Sequence, residues 1–214
     1  YIKARIAEVT SDGERLIAKG EDTLVKRPIT IPFDMVVHAI GMDPGSMNFE
    51  DDLVFLKEHS EVQILEAGTG KVAICPALQG RVMTTSLGPN QPGLGFVGRS
   101  FIQEPDSEAP FHNYGGEERF WIGPESGPFS FYFEPGQAHS RDLWRVPDAL
   151  DEGSFDIVAS GRNFFLLERR MELTNLVGTS FQMMVKREIR SPSLEEVEDL
   201  VGPLPEGTAW TGFA

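Results

Sequence analysis

Apolar residues alternate in two neighbouring stretches, broken once in each by Arg169 or Arg187: Phe165, Leu167, Met171 and Leu173 share one face of the first, and Phe181, Met183, Val185 and Ile189 share one face of the second. A period of two belongs to a strand with one buried face, because successive side chains of an extended chain point to opposite sides. A one-residue slip would turn either apolar set toward water, so the register is strongly specified. Asn175 to Gly178, between the stretches, supplies turn-forming residue types. The pattern predicts a long β-hairpin covering a core.

Upstream, Glu61 to Glu66, Lys71 to Cys75 and Arg81 to Leu87 read as consecutive antiparallel strands, separated by Gly68-Thr-Gly70 and Pro76-Ala-Leu-Gln-Gly80. Phe129-Ser-Phe-Tyr-Phe133 alternates more weakly. Residues 88–118 are dense in Gly and Pro, carry the acidic run Gln103 to Glu108, and read as a loop of the length that is usually functional. With 22 Gly and 15 Pro, and 15 Phe against three Tyr, the chain is a globular one rich in turns.

Two short helices interrupt the strands. Asn48 can cap one, with Asp51 three residues on, acids at Glu50, Asp51 and Asp52 near the positive helix end, and Phe49, Leu53 and Leu56 on one face. Ser193 and Glu196 form a capping box for the other, which stops at Gly202-Pro203 and leaves an unstructured tail. Before Asn48 the chain reads as a small β-unit: strands over Lys3 to Thr10 and Arg15 to Lys19, then an apolar strand from Phe33 to Gly41 and the turn Met42-Asp43-Pro44-Gly45. A boundary is placed between Asp43 and Asn48, giving a small β segment over 1–44 and a larger domain over 45–214.

The formal charge of -14 repels a phosphate backbone, and no basic cluster offsets it, which argues against a nucleic-acid partner. No apolar run is long enough for a membrane span, and Tyr1 opens into charged sequence without a signal-peptide pattern. The absence of an initiator Met suggests removal of something upstream. The single cysteine, Cys75, lies in an apolar run and is expected to be a buried small side chain. His38 reads as a strand residue at a core edge and His59 as a residue of a helix C-terminus; His139 has no recognisable partner. No metal site or cofactor is expected.

Gly93-Leu-Gly95-Phe-Val-Gly98 matches the glycine spacing of a dinucleotide-binding turn. That turn joins a buried strand to a helix whose N-terminus holds the pyrophosphate. Here Pro89-Asn-Gln-Pro92 precedes the motif and Arg99 to Pro110 shows no helical period, so the match is read as accidental.

The densest chemical constellation runs from His112 to Glu125 around Gly115-Gly116. It combines an imidazole, three carboxylates, a guanidinium and an indole. Sugar recognition needs this mixture: ring hydroxyls take charge-assisted hydrogen bonds, while the C–H face of the ring packs on an aromatic side chain. His112 is the candidate acid/base, because imidazole titrates near neutrality. Asn113, Glu117, Glu118, Arg119 and Glu125 are candidate hydroxyl contacts, Trp121 the stacking platform, and Arg81 a strand-start residue beside the site. The plainer reading is a Gly-Gly turn entering a strand, with Phe120 and Trp121 in the core, the charges solvated, and Arg81 a surface residue. Arg141, Asp142 and Trp144 read as a structural loop.

Four segments together carry a resemblance over about 140 residues: Asp51 to Leu56, Val72 to Met83, Tyr114 to Glu125, and Glu172 to Asn175 with Arg187 to Arg190. The chain resembles an uncharacterised bacterial family whose members look like galactose mutarotase-type supersandwich proteins. That implies a concave sugar-facing sheet and a periplasmic or secreted protein. In aldose epimerases a histidine near a Gly-Gly turn and a glutamate from the later half exchange protons with the anomeric hydroxyl and ring oxygen. His112 is similar to that histidine, although its spacing departs from the epimerase pattern. The later half is not in this chain. Asp34 to Pro44 is similar to the strand and turn before the last flavin contact in oxidoreductases of the heterodisulfide reductase A type, with Ile40 where Thr is usual. The nucleotide-binding core of those proteins has no counterpart here, so no FAD binding is implied.

The expected fold is mainly β: a partial supersandwich, truncated at its C-terminal end, with two short helices and a small N-terminal β appendage. Unpaired edge strands of such a fragment are a route to association. The expected function is carbohydrate binding or mutarotase-like isomerisation, inactive in a fragment. The alternatives are a noncatalytic structural or interaction module of a larger bacterial protein, or a fragment of an FAD-dependent oxidoreductase.

Overall fold

The computed structural model describes residues 4–11, 16–22, 27–33, 48–106 and 108–214. The chain divides into two compact units, Tyr1–Met42 and Asp43–Ala214. In the first, β1 (Ala4–Ser11), β2 (Leu16–Asp22) and β3 (Arg27–Phe33) form an antiparallel sheet in sequence order. Strand β3 does not stand out in the sequence, where Pro28 and Pro32 weaken the strand pattern; a proline survives on an edge strand because no ladder bond is needed from it there. The anticipated strand ending at Gly41, His38 and the oxidoreductase-like motif lie outside the described residues, apart from Phe33.

The second unit is mainly β. It opens with α1 (Phe49–His59), whose cap is the anticipated one: Asn48 Oδ1 accepts from Asp51 N at 2.8 Å. Phe49, Asp52, Phe55 and Leu56 are buried, so the inward face is rotated slightly from the expected one and Leu53 sits at its margin. Then come β4 (Gln63–Ala67), β5 (Gly70–Cys75) and β6 (Arg81–Ser86), antiparallel in sequence order. Both faces of this sheet are covered. Val72, Ile74 and Val82 join the larger core, while Cys75 and Met83 pack with Phe55 and Leu56 of α1. Double coverage is why every residue of β6 is buried and why its sequence lacks alternation.

A second antiparallel sheet consists of β7 (Asp156–Ser160), β8 (Phe164–Thr174) and β9 (Ser180–Arg190). The β8–β9 register sets Phe165 opposite Ile189, Met171 opposite Met183 and Leu173 opposite Phe181, which aligns the two apolar stripes read from the sequence. Leu167, Met171, Leu173 and Ile189 meet Leu65, Val72, Ile74 and Val82 of the other sheet in one core. Each such buried side chain contributes about 1.5–3 kcal/mol.

Several connections depart from expectation. The anticipated loop holds a short helix, α2 (Arg99–Gln103), although no helical period marks it. Five residues are too few to show one. The segment before it lies against β6, with Leu94 N donating to Thr85 O at 2.9 Å, and a Cβ on Gly95 or Gly98 would strike the carbonyls of Met83 or Asn113. These glycines serve close main-chain packing. Phe129 to Phe133 forms no strand; Tyr132 and Phe133 enter the core from a bent loop. Helix α3 (Asp148–Asp151) follows a single 3-10 turn at Arg141–Leu143. Helix α4 (Leu194–Val201) carries the complete Ser193–Glu196 capping box.

The tail is tied down rather than unstructured. Thr69 N donates to Trp210 O at 3.0 Å, and Arg190 and Ala214 exchange main-chain hydrogen bonds of 3.0 and 2.9 Å. Cys75 is fully buried, and burial pushes its thiol up to about 12. No helix among the described residues is long and apolar enough to cross a membrane.

Candidate functional site

Three connections and one strand assemble a polar network beside the core. Gln79, in the β5–β6 turn, adopts the left-handed backbone region at φ 65°. Its buried amide donates to Leu150 O at 2.8 Å and to Asp151 O, and its Oε1 accepts from Arg81. Arg81, the first residue of β6, is fully enclosed and donates also to Gly115 O. Its Nε has no hydrogen-bond partner among the described residues. Burial, and then the neighbouring charge of Arg119, pull its guanidinium down to about 10. A surface role for Arg81 is therefore excluded.

The Gly-Gly bend passes directly over that side chain. Gly116 has φ 102°, and a Cβ there would collide with the methylenes of Arg81. Past the bend, Glu118 Oε1 accepts from Val82 N at 3.1 Å and pairs with Arg187 of β9 at 2.6 Å. Arg187 also donates to Gln79 O at 3.0 Å, which closes the network across both sheets.

His112 sits at the other side of the bend, 7% exposed. Its N–H donates to Asp151 Oδ2 at 2.6 Å, and its carbonyl accepts from Arg119 at 2.7 Å. Its Nδ1 lies 3.4 Å from Asp151 Oδ2 and 3.3 Å from Glu152 Oε1, and 3.5 Å from the Tyr114 hydroxyl. Two carboxyl groups with acceptor oxygens beside Nδ1 favour the Nδ1–H tautomer, in which Nε2 keeps its lone pair. Nε2 makes no hydrogen bond among the described residues. Burial, reinforced by Glu152 and Asp151, raises the Tyr114 phenol above its ordinary range.

The network thus brings together Arg81, His112, Glu118 and Arg119. Trp121 is attached through Arg119, whose guanidinium lies 5.3 Å from its ring and 4.8 Å from that of Phe111; burial lowers the pKa of this arginine. The indole stacks with Tyr132 at 5.5 Å and Trp144 at 5.9 Å, so Trp144 joins an aromatic cluster with Trp121, while Arg141 and Asp142 stay in the exposed 3-10 turn. Asn113 is exposed and outside the network. Glu117 is exposed as a residue, yet its carboxyl lies against Thr85, and desolvation there raises its pKa. Glu125 is exposed beyond the Gly123–Pro124 bond and has no hydrogen bond or ion pair to the network among the described residues.

Sequence reasoning missed Asp151, Glu152, Gln79 and Arg187 as members. Pro147 before Asp148-Ala-Leu-Asp151 signals a helix start, but in a chain with 33 acids nothing marks Asp151 as the buried one. His139, without a recognisable partner in the sequence, has one in the fold: its Nε2 accepts from Gly127 N at 3.0 Å and lies 2.8 Å from Ser126 Oγ. A cleft of about 550 Å³ opens elsewhere, between Glu134, Arg145, Asp148 and Glu172, and none of the eight anticipated residues lines it.

A family model described as a family of unknown function, DUF6786, matches residues 47–214. No curated protein matches the chain.

Proposed function

The chain belongs to the DUF6786 family, and from that premise we propose that residues 47–214 form a carbohydrate-binding domain of the galactose mutarotase-like supersandwich type, with His112 as its proton-transfer residue. The observation that carries this reading is His112 itself, whose main-chain carbonyl accepts from Arg119 and whose imidazole Nδ1 lies 3.3 and 3.4 Å from two carboxylates. A histidine oriented by acids at one ring nitrogen presents the other for proton exchange, as an anomeric hydroxyl requires. Arg119 and Glu118 supply charged hydrogen-bonding groups, and Arg81 fixes the bend that carries them.

Calorimetric titration against a panel of neutral aldoses, with polarimetry of anomeric equilibration, tests it. Saturable binding of one aldose is expected, weakened in Trp121→Ala, with equilibration slowed in His112→Ala. Absence of heat from every monosaccharide at millimolar concentration rejects the reading.

A second reading, a noncatalytic interaction or structural module, is favoured by the Trp121 indole, which is already engaged by Tyr132, Trp144 and Arg119. Under it, His112→Ala and Trp121→Ala lower stability and leave no sugar response to lose.

A further inference from the structure

Strand β9 ends its sheet, and its outer edge is a row of main-chain groups with one position taken. Asn175 N donates to Thr179 O at 3.0 Å where the hairpin closes, and in an antiparallel ladder hydrogen-bonded and non-bonded pairs alternate from there. The odd-numbered residues of β9 therefore bond to β8, and Ser180, Gln182, Met184, Lys186, Glu188 and Arg190 aim N–H and C=O outward. Arg190 follows this parity, since its outward groups are the ones that exchange hydrogen bonds with Ala214. The edge thus already holds one antiparallel residue pair. The outward groups from Ser180 to Glu188 have no main-chain partner among the described residues, and all of these alternate residues are exposed.

We infer that this edge pairs antiparallel with the same edge of a second copy of the chain, about a twofold axis at Met184. In that register Met184 faces Met184 of the second copy, Gln182 faces Lys186, and Ser180 faces Glu188. Every vacant outward position is used and Arg190 keeps Ala214. Sliding one way sets Ser180 against the occupied Arg190 after two residues and Lys186 against Lys186 after four; sliding the other way leaves Glu188 or Lys186 opposite the turn residue Gly178, whose N–H is already bonded to Asn175 O. The chosen register opposes no like charges, and Lys186 is moreover neutralised by Glu168 at 2.6 Å. On the other face Phe181, 42% exposed, meets Arg187, and Met183 meets Val185. On the order of ten main-chain hydrogen bonds form across the axis. The inference is independent of the sugar reading.

Light scattering coupled to size exclusion, at about 100 µM because a one-strand contact is at the small end of interfaces, should give twice the chain mass. Hydrogen exchange should show the amides of Gln182, Met184, Lys186 and Glu188 protected in a concentration-dependent way, while those of Met183 and Val185 are protected at all concentrations. Met184→Pro deletes an N–H that faces away from β8, so the fold is retained and the mass falls to that of one chain. Met184→Lys places like charges across the axis and weakens association by about tenfold without touching the backbone. A single-chain mass for the unmodified protein overturns the inference. So does a dimer that neither variant weakens, or one whose even-numbered amides exchange freely.

Discussion

Replacing Asp151 by Ala removes the acceptor on which the candidate site is hung. The side chain is 6% exposed and takes the His112 main-chain N–H at 2.6 Å. A hydrogen bond to a charged group contributes about 1.5–3 kcal/mol, and its loss leaves a buried N–H without a partner. Arg81 and Arg119 also lose an attracting charge, although Glu118 remains near Arg81. The sum is about 3 kcal/mol, at the lower edge of what breaking a buried ion pair costs. In a body of this size that lowers the melting temperature by about 6–12 °C. Asp151→Asn keeps an acceptor and should cost about half as much. Glu152→Gln, at a side chain 52% exposed, should cost at most about 1 kcal/mol. Thermal and urea unfolding followed by circular dichroism measure all three. The reasoning fails if Asp151→Ala stays within about 1 kcal/mol of the unmodified protein, or if Glu152→Gln is as damaging.

Cys75 should be unreactive toward thiol reagents at pH 8 until the protein is unfolded. Burial raises its thiol from the ordinary 9.0 to about 12, so the unfolded chain ionises first. The contribution of the neutral thiol is complete below pH 9 and declines by about 1.4 kcal/mol per pH unit above it, toward pH 12. Cys75→Ala should therefore lose stability less steeply in alkali, and coincident slopes would reject the assignment. Gly116→Ala and Gly178→Ala both force a residue into positive φ, but only the first also meets the Arg81 side chain. Chemical denaturation should give about 1 kcal/mol for Gly178 and at least about 3 kcal/mol for Gly116, and equal losses would show that Arg81 yields. Ser193→Ala breaks the capping box of α4 and should cost about 1 kcal/mol, read as faster amide exchange at Glu196.

What the sequence made legible was local periodicity and local capping. The β8–β9 hairpin, the β4–β6 succession, the Asn48 cap and the Ser193 box each rest on residues within a few positions of one another. What stayed hidden depends on distant partners. Phe129 to Phe133 has apolar residues at strand-like spacing, yet Tyr132 is drawn into a stack with Trp121 and Trp144 and the segment bends. The site was half legible for the same reason: His112, Glu118 and Arg119 share one chain segment with the Gly-Gly bend. Asp151 and Arg187 reach it from a helix and a strand far along the chain. The exclusion of Glu125 could not be read either, because it depends on the direction the chain takes after Trp121.

The glycine-lined passage between β6 and the Gly-Gly bend has a consequence for how this scaffold could change. Where main chain touches main chain, position is set by peptide thickness and is indifferent to which residues surround it. The imidazole is held at the end of such a contact, while its aromatic and charged surroundings come from separate segments. Substitutions in those separate segments can thus change what surrounds the imidazole while its position stays fixed.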